Sequence, residues 1–196
     1  MSPFVLASAS QVRARLLAAA GVQFQIVPAR IDEQAVKETL ADENPRTIAD
    51  ALAELKALRV ASSYTDVLVL GADQVLAFNG VLIDKSGNLD EARMLLRRLR
   101  GGRHELFTAV VLARNGAAVW RHTDRAGMWM RDFSDEFLED YLAREGGAVL
   151  DSVGCYHFEG LGAQLFARIE GDYFSVLGLP LLPLLAALRE HGVVAR

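Results

Sequence analysis

Cysteine occurs once in the 196 residues, as Cys155, which excludes an internal disulfide framework and a Cys-rich zinc cage. A single thiol of this kind fits a reducing compartment and reads as a small buried core residue. The four histidines, His104, His122, His157 and His191, show no metal-ligand spacing and no visible triad with a serine. Neither GxxxxGK[ST] nor GxGxxG occurs, which argues against a Walker-type triphosphatase and a dinucleotide-binding domain. No polybasic run is present: Lys and Arg number 21 against 25 Asp and Glu, for a net charge of -4. Nucleic acid is therefore not an expected partner, and any positive site must be local. The most apolar run, residues 176–188, falls short of the roughly 20 residues that cross a bilayer and contains Pro180 and Pro183, so it reads as core. The opening MSPFVLASAS lacks a basic start and a long apolar stretch, so it is expected to be a first strand rather than a signal peptide.

What is present is a chain 52% apolar and 23% charged, with ample material for a core, and residues 1–196 read as one domain. Residues 4–7 read as a strand, and Ser10 opens a helix with Val12, Leu16, Leu17 and Ala20 on one face, closed by Gly21. Alternation of Val22, Phe24 and Ile26 predicts a strand ending at Pro28, which leaves Asp32 and Glu33 near a strand end. Asn44-Pro45 predicts a helix running to about Ser62, with Ile48, Ala51, Leu52, Leu55 and Leu58 buried and Lys56 beside them. VLVLGADQVL, residues 67–76, reads as a buried strand holding Asp73, and Asn79-Gly80 predicts a hairpin after it. Asn88 and Glu91 form a capping box for a helix that buries Leu89, Ala92, Leu95, Leu96 and Leu99 and ends at Gly101-Gly102. Residues 106–113 and 117–131 read as antiparallel strands joined at Asn115-Gly116, and Ser134 caps a further helix with a Phe133–Leu138 staple. Residues 164–169 are β-like, and a terminal helix is expected over about 180–190. Strands, hairpins and helices interleave, which predicts an α/β fold with a mixed sheet.

The chemistry-bearing residues are few. SASQVRAR puts the hydroxyls of Ser8 and Ser10 in the turn before a helix whose first turn carries Arg13. Free amides at such a helix start attract anions, and hydroxyls with a guanidinium add charge-assisted hydrogen bonds to phosphate. An N-cap with solvated arginines explains the same residues. Asp32, Glu33 and Asp73 are oxygen ligands of the kind Mg²⁺ takes when it also holds a substrate phosphate, and a metal-free carboxylate can serve as general base. For Asp32 and Glu33 an exposed loop is the other reading. Asp73 differs, because an isolated carboxylate is expensive to bury and needs a partner, a metal or the mouth of a cleft. Lys56 and Lys85 are surface lysines unless the fold brings them to that cleft. Glu159, glycine-bounded in CYHFEGLGAQLF, either faces a ligand or is a turn carboxylate.

Taken in order, LASASQVRARLLAAAG, VPARIDE, ALAELKALRVA, LVLGADQVLAFNGVLIDK, EARMLLRRLRG with HELFTAVVL, and GCYHFEGLGAQLFARIEGDYFSVLGLPLLPL resemble the Maf family of nucleoside triphosphate pyrophosphatases. The resemblance runs almost end to end. It implies a mixed, largely antiparallel central sheet flanked by helices, with two lobes and an anion-binding cleft, similar to the inosine triphosphate pyrophosphatases. It also implies hydrolysis of a nucleoside triphosphate to monophosphate and pyrophosphate with a divalent cation, Mg²⁺ or Mn²⁺, by a cytoplasmic homodimer. By position, Ser8, Ser10 and Arg13 match the family's phosphate-binding turn, Glu33 the Glu of its DE pair, Lys56 its helical KA motif and Lys85 its GKP. Asp73 matches the catalytic acidic residue, so the resemblance makes Glu33, Lys56 and Asp73 catalytic and Glu33 and Asp73 the metal ligands.

The departures are specific. The family's SPRR is here SQVR, its following Glu is Arg15, and its GKP is Asp84, Lys85, Ser86. Gln74 and Glu159 resemble the branch acting on 7-methyl-GTP more than the branch acting on dTTP and UTP, although the former carries Trp where this chain has Val12. A carboxylate at Glu159 can accept from both N1–H and the 2-amino group of guanine, whereas uracil and thymine offer one N3–H flanked by carbonyl oxygens. A guanine-type base is therefore expected, with Gln74 and Glu159 among the substrate-binding residues. The alternative is a nucleotide-binding regulator linked to cell-division arrest, its catalysis eroded at Gln11, Val12 and Ser86. Paired carboxylates beside a polyanion, which they repel without metal, favour the enzyme.

Overall fold

The apolar run around Asp73 forms the strand to which the rest of the molecule is fitted. The computed structural model describes residues 3–195. Among these, β1 (Phe4–Leu6), β2 (Gln25–Ile26), β3 (Leu68–Phe78), β4 (Val81–Ile83), β5 (Arg103–Arg114), β6 (Ala117–Met130) and β7 (Phe166–Glu170) make one seven-stranded sheet in the order β2-β1-β3-β5-β6-β7, with β4 added to β3. The β1 pairings to β2 and β3 are parallel and the others antiparallel, as the mixed, largely antiparallel reading requires. Strands buried on both faces read as continuous apolar runs, which is why β1 and β3 lack polar alternation.

Helices cover both faces. On one, α1 (Gln11–Ala19) and α7 (Leu181–Glu190) pack Leu17, Leu184 and Leu188 against Leu70, Val110 and Leu112. On the other, α3 (Pro45–Ala61) packs Ile48, Leu52 and Ala57 against Val69, Val75 and Val111. Toward the far end, α4 (Leu89–Leu99) and α5 (Asp135–Glu145) enclose Leu76, Leu106 and Met128. The cap and turn signals correspond to observed structure. Asn44, Asn88 and Ser134 accept from the backbone N–H three residues on, and both Asn-Gly turns have the positive φ that two-residue hairpins demand. No helix among the described residues is long and apolar enough to cross a membrane.

Several expectations are corrected. The strand over residues 22–27 reduces to the two exposed residues of β2, because its edge position leaves nothing to pack on one side. Asp32 and Glu33 do not sit in a loop after a strand. Asp32 accepts from the Ala35 N–H at 3.0 Å and caps a helix, α2 (Glu33–Thr39), which buries no residue and so has no apolar period to betray it. Leu55 and Leu89, expected inside, are exposed. Lys56, expected beside the buried face of α3, is itself buried at 8% exposure. Asp73 lies in the middle of β3, inside the run expected to hold it. A one-turn helix, α6 (Tyr173–Val176), capped by Asp172, was not expected.

Gly71 determines how α3 meets β3. A Cβ there would lie 2.2 Å from the Ala53 carbonyl oxygen and 2.5 Å from the Ala57 nitrogen, so only a glycine lets the helix come this close. Lys56, between those alanines in the chain, is thereby held against the strand two residues from Gly71.

At the far end, His104 is fully buried with Nε2 2.7 Å from the Tyr156 hydroxyl, and its pKa is pushed down to about 4, first by burial and then by the Arg103 charge. An unfolded imidazole takes its proton near 6.5. The unfolded chain therefore binds more protons between those values, and stability is fully present above pH 6.5 and declines as the pH falls toward 4. The gap is worth about 3 kcal/mol. Urea unfolding at pH 7.5 and 4.5 should show a loss of this order that is reduced in His104→Gln, which keeps a partner for Tyr156.

Candidate active site

The site grows from an interruption in the sheet. β1 accompanies β3 as far as Leu6 opposite Leu70, and β4 takes over where Leu76 meets Ile83. Between these pairings the edge of β3 around Asp73 has no strand beside it on that side among the described residues. Unpaired backbone must find other partners. The Ala72 carbonyl finds Arg13, whose Nη1 donates to it at 3.0 Å.

The turn after β1 faces this gap. Ser10 caps α1, accepting from the Arg13 N–H at 3.4 Å, and the Ser8 hydroxyl accepts from the Ser10 N–H at 3.2 Å. Arg13 Nη1 also donates to the Ser8 hydroxyl at 3.1 Å, and its Nε donates to the Gly178 carbonyl at 2.8 Å. One guanidinium thus joins the turn, the free strand edge and the segment after α6. Both serine oxygens accept internally, and each hydroxyl proton remains available to a ligand.

On the α3 face, Lys56 Nζ lies 2.6 Å from Asp73 Oδ1 and 2.7 Å from Glu33 Oε1. Asp73 is 6% exposed. Burial pushes its pKa up, outweighing the pull of Lys56 and Arg13, while Glu33 adds to the rise. For Glu33 burial acts in the same upward direction, but the Lys56 hydrogen bond and the charges of Lys56, Lys37 and Lys85 carry the net shift downward. The opposed shifts make Asp73 the more basic of the two carboxylates and Glu33 the more firmly ionised.

Strand alternation turns Gln74 to the opposite face. Its Nε2 donates to the Thr108 hydroxyl at 2.8 Å and to the Ser175 and Val176 carbonyls at 2.9 and 3.2 Å. Its amide nitrogen holds the α6 segment in place and is not free for a ligand.

Ser8, Ser10, Arg13, Glu33, Lys56, Asp73, Gln74, Lys85 and Glu159 all line one cleft of about 870 Å³, within the range of nucleotide-sized sites. Asp32 stays outside the lining as a helix cap. Among the described residues no cage of three or more His, Cys, Asp or Glu is assembled. Glu33 and Asp73, however, converge on one point, now taken by the Lys56 ammonium. Mg²⁺ commonly binds through one or two carboxylates plus substrate phosphates, and this pair fits that habit.

The family model described as Maf-like protein matches residues 3–191. The chain belongs to the Maf family. A protein of Caulobacter vibrioides named nucleoside triphosphate pyrophosphatase is 52% identical over 196 residues, covering 99% of this chain and 98% of its own. A Rhizobium meliloti protein named 7-methyl-GTP pyrophosphatase is 47% identical over 192 residues, covering 97% and 96%. Among solved structures, a HAM1 protein from Coxiella burnetii is similar over 68% of this chain and 75% of its own, at 13% identity and a TM-score of 0.43.

Within this Maf chain, some cleft residues escaped the sequence reading. Arg15 Nη2 reaches Glu159 Oε1 at 3.0 Å, and Asp151, Ser152, Tyr156 and His157 form part of the wall. For Tyr156 and His157 the signal was the glycine spacing of GCYHFEGLG. A Cβ at Gly154 would sit 2.2 Å from the Tyr156 ring, and one at Gly162 2.6 Å from the His157 carbonyl oxygen, so both glycines shape the loop that carries Glu159.

Arg13→Lys keeps the charge but replaces the rigid fork with a point donor that cannot serve Ser8, Ala72 and Gly178 together. Urea denaturation should show a loss of about 2 kcal/mol, the scale of one or two charged hydrogen bonds, at unchanged m.

Proposed function

We propose that this protein hydrolyses a guanine-type nucleoside triphosphate to the monophosphate and pyrophosphate, with a divalent cation carried in by the substrate. The observation that bears the reading is the Lys56–Asp73 pair buried in the cleft wall, joined by the more exposed Glu33 and facing the Ser8–Ser10 turn. Its relatives' names support the reaction class.

The triphosphate enters with its charge facing Ser8, Ser10, the α1 N-terminus and Lys85. Lys56 is the counter-ion of Glu33 and Asp73, and substrate phosphate oxygens provide it with a new anionic partner. Asp73, released from part of that pairing and with its pKa raised by burial, accepts a proton from water. The water oxygen forms a bond to the α-phosphorus as the bond from that phosphorus to the bridging oxygen of the β-phosphate breaks, and pyrophosphate departs with the bonding pair. Glu33 and Asp73 are the residues that would hold the cation, which supplies neutralisation of phosphate charge. Most of the rate gain in such transfers comes from positioning and charge neutralisation, and the residues around the gap serve both.

Glu159 lines the cleft from the loop after Phe158. As a carboxylate it accepts from N1–H and the 2-amino group of guanine.

Pyrophosphate release from GTP, 7-methyl-GTP, UTP and dTTP, with and without Mg²⁺ or Mn²⁺, tests the proposal. Guanine nucleotides should be turned over fastest and with metal present, and Asp73→Asn should lower kcat by roughly 100-fold or more. Near wild-type turnover in that variant at saturating Mg²⁺ would remove Asp73 from the chemistry, and binding without turnover on every nucleotide would favour a regulator. Glu159→Gln should reduce the guanine-over-uracil ratio of kcat/KM by roughly tenfold, the lower end of one base-edge contact.

A further inference from the structure

Arg15 has no role in the reaction as described, yet it reaches across the cleft mouth. It lies on α1, whereas Glu159 lies in the loop before a short 3-10 helix, Leu161–Leu165, 144 positions further along the chain. Both line the cleft, and Arg15 Nη2 donates to Glu159 Oε1 at 3.0 Å. Their side chains are 66% and 25% exposed. An ion pair this open is worth at most about 1 kcal/mol, so it holds the two groups side by side without locking either against a ligand. In this arrangement the guanidinium keeps donors free, and Glu159 keeps Oε2 and further lone pairs on Oε1.

We propose that Arg15 and Glu159 act as one base-reading pair, and that Arg15 makes the cleft select guanine with an unmodified N7 over 7-methylguanine. This rests on the guanine reading of Glu159 above. The polar edge of guanine runs N7 and O6, both acceptors, then N1–H and the 2-amino group, both donors. A guanidinium beside a carboxylate presents two donors beside two acceptors, in the same order. Arginine to O6 and N7 is the commonest specific contact made to guanine, and the carboxylate completes the rest of the edge. Methylation at N7 removes the acceptor that Arg15 needs and places a positive charge next to its own. Uracil and thymine match the pair at one acceptor and one N3–H, but their second carbonyl then faces the carboxylate. Phe158 also lines the cleft, and an aromatic ring does not tell the two purines apart, so the choice between them falls to the charged pair.

A merely structural latch between α1 and the Glu159 loop would affect all nucleotides alike, and the test exploits this. Dissociation constants of GMP, 7-methyl-GMP and UMP are measured by calorimetric titration for the wild-type protein and Arg15→Met, which retains the apolar stem without donors or charge. The wild type should bind GMP at least tenfold tighter than 7-methyl-GMP. Arg15→Met should weaken GMP roughly tenfold while 7-methyl-GMP moves less than threefold, so that the gap closes. Tighter or equal wild-type binding of 7-methyl-GMP overturns the inference, as does an equal weakening of both purines in Arg15→Met. UMP binding as tight as GMP would overturn the guanine reading of Glu159 beneath it. Monophosphate binding involves no hydrolysis: selective GMP binding without turnover of GTP would support the base reading while rejecting the pyrophosphatase proposal.

Discussion

The interaction on which the structure depends is the Lys56 ammonium held between Asp73 and Glu33. Burying a carboxylate in the middle of a strand is tolerable because an ammonium lies 2.6 Å away, and burying that ammonium is tolerable because a second carboxylate lies 2.7 Å from it. Removing one partner of such a pair commonly costs about 3–5 kcal/mol, while well-packed apolar residues in its place are often neutral or better. A hydrophobic core needs no such array. Its presence at the wall of a cleft, with Asp73 pushed up and Glu33 drawn down, is therefore better explained by chemistry than by stability.

The array can exist only because helix and strand approach unusually closely. Gly71 removes the side chain that would strike Ala53 and Ala57, which brings α3 onto β3 and sets the reach of Lys56. The sheet contributes the rest by being incomplete. With β1 ending at Leu6 and β4 beginning opposite Leu76, the edge of β3 between them is open, and an open edge inside a protein is a place where backbone groups seek partners other than strands. Arg13 answers at Ala72, and the same side chain fixes the serine turn and Gly178. The cleft and its positive wall thus follow from one missing stretch of strand pairing.

How much of this could be read from the chain depended on whether the signal was local. Caps and hairpins were legible because Asn44, Asn88, Ser134 and the two Asn-Gly pairs act on residues a few positions away. Helix α2 was not, since a helix that buries nothing carries no apolar period, and Asp32, on sequence either a metal-binding carboxylate or a loop acid, is its cap. That Asp73 needed a partner was legible from its neighbours, but that the partner is Lys56, 17 positions earlier, was not. The resemblance to the Maf family put Glu33, Lys56, Asp73, Lys85 and the serine turn in one cleft, which spacing could never do. Even so, it marked Arg15 only as a departure from the family's Glu and gave no hint of the contact with Glu159, which spans 144 positions.

Asp73 and Gln74 show why adjacency in a strand matters to function. Side chains alternate across a sheet, so neighbours in sequence face opposite layers. Asp73 turns toward α3 and Lys56, and Gln74 turns toward Thr108 and the carbonyls of Ser175 and Val176. The Gln74 amide fixes the segment that leads to Gly178, whose carbonyl in turn receives Arg13. Arg13 closes the circuit by donating to Ala72, the residue before Asp73. A short stretch of one strand thereby fixes the proposed proton acceptor on one face and the wall of the substrate cleft on the other. Displacing either residue along the backbone by one position would exchange their faces, burying a carboxamide against Lys56 and leaving the carboxylate among backbone carbonyl oxygens. The order of these two residues is consequently as strict a requirement of the site as their identities.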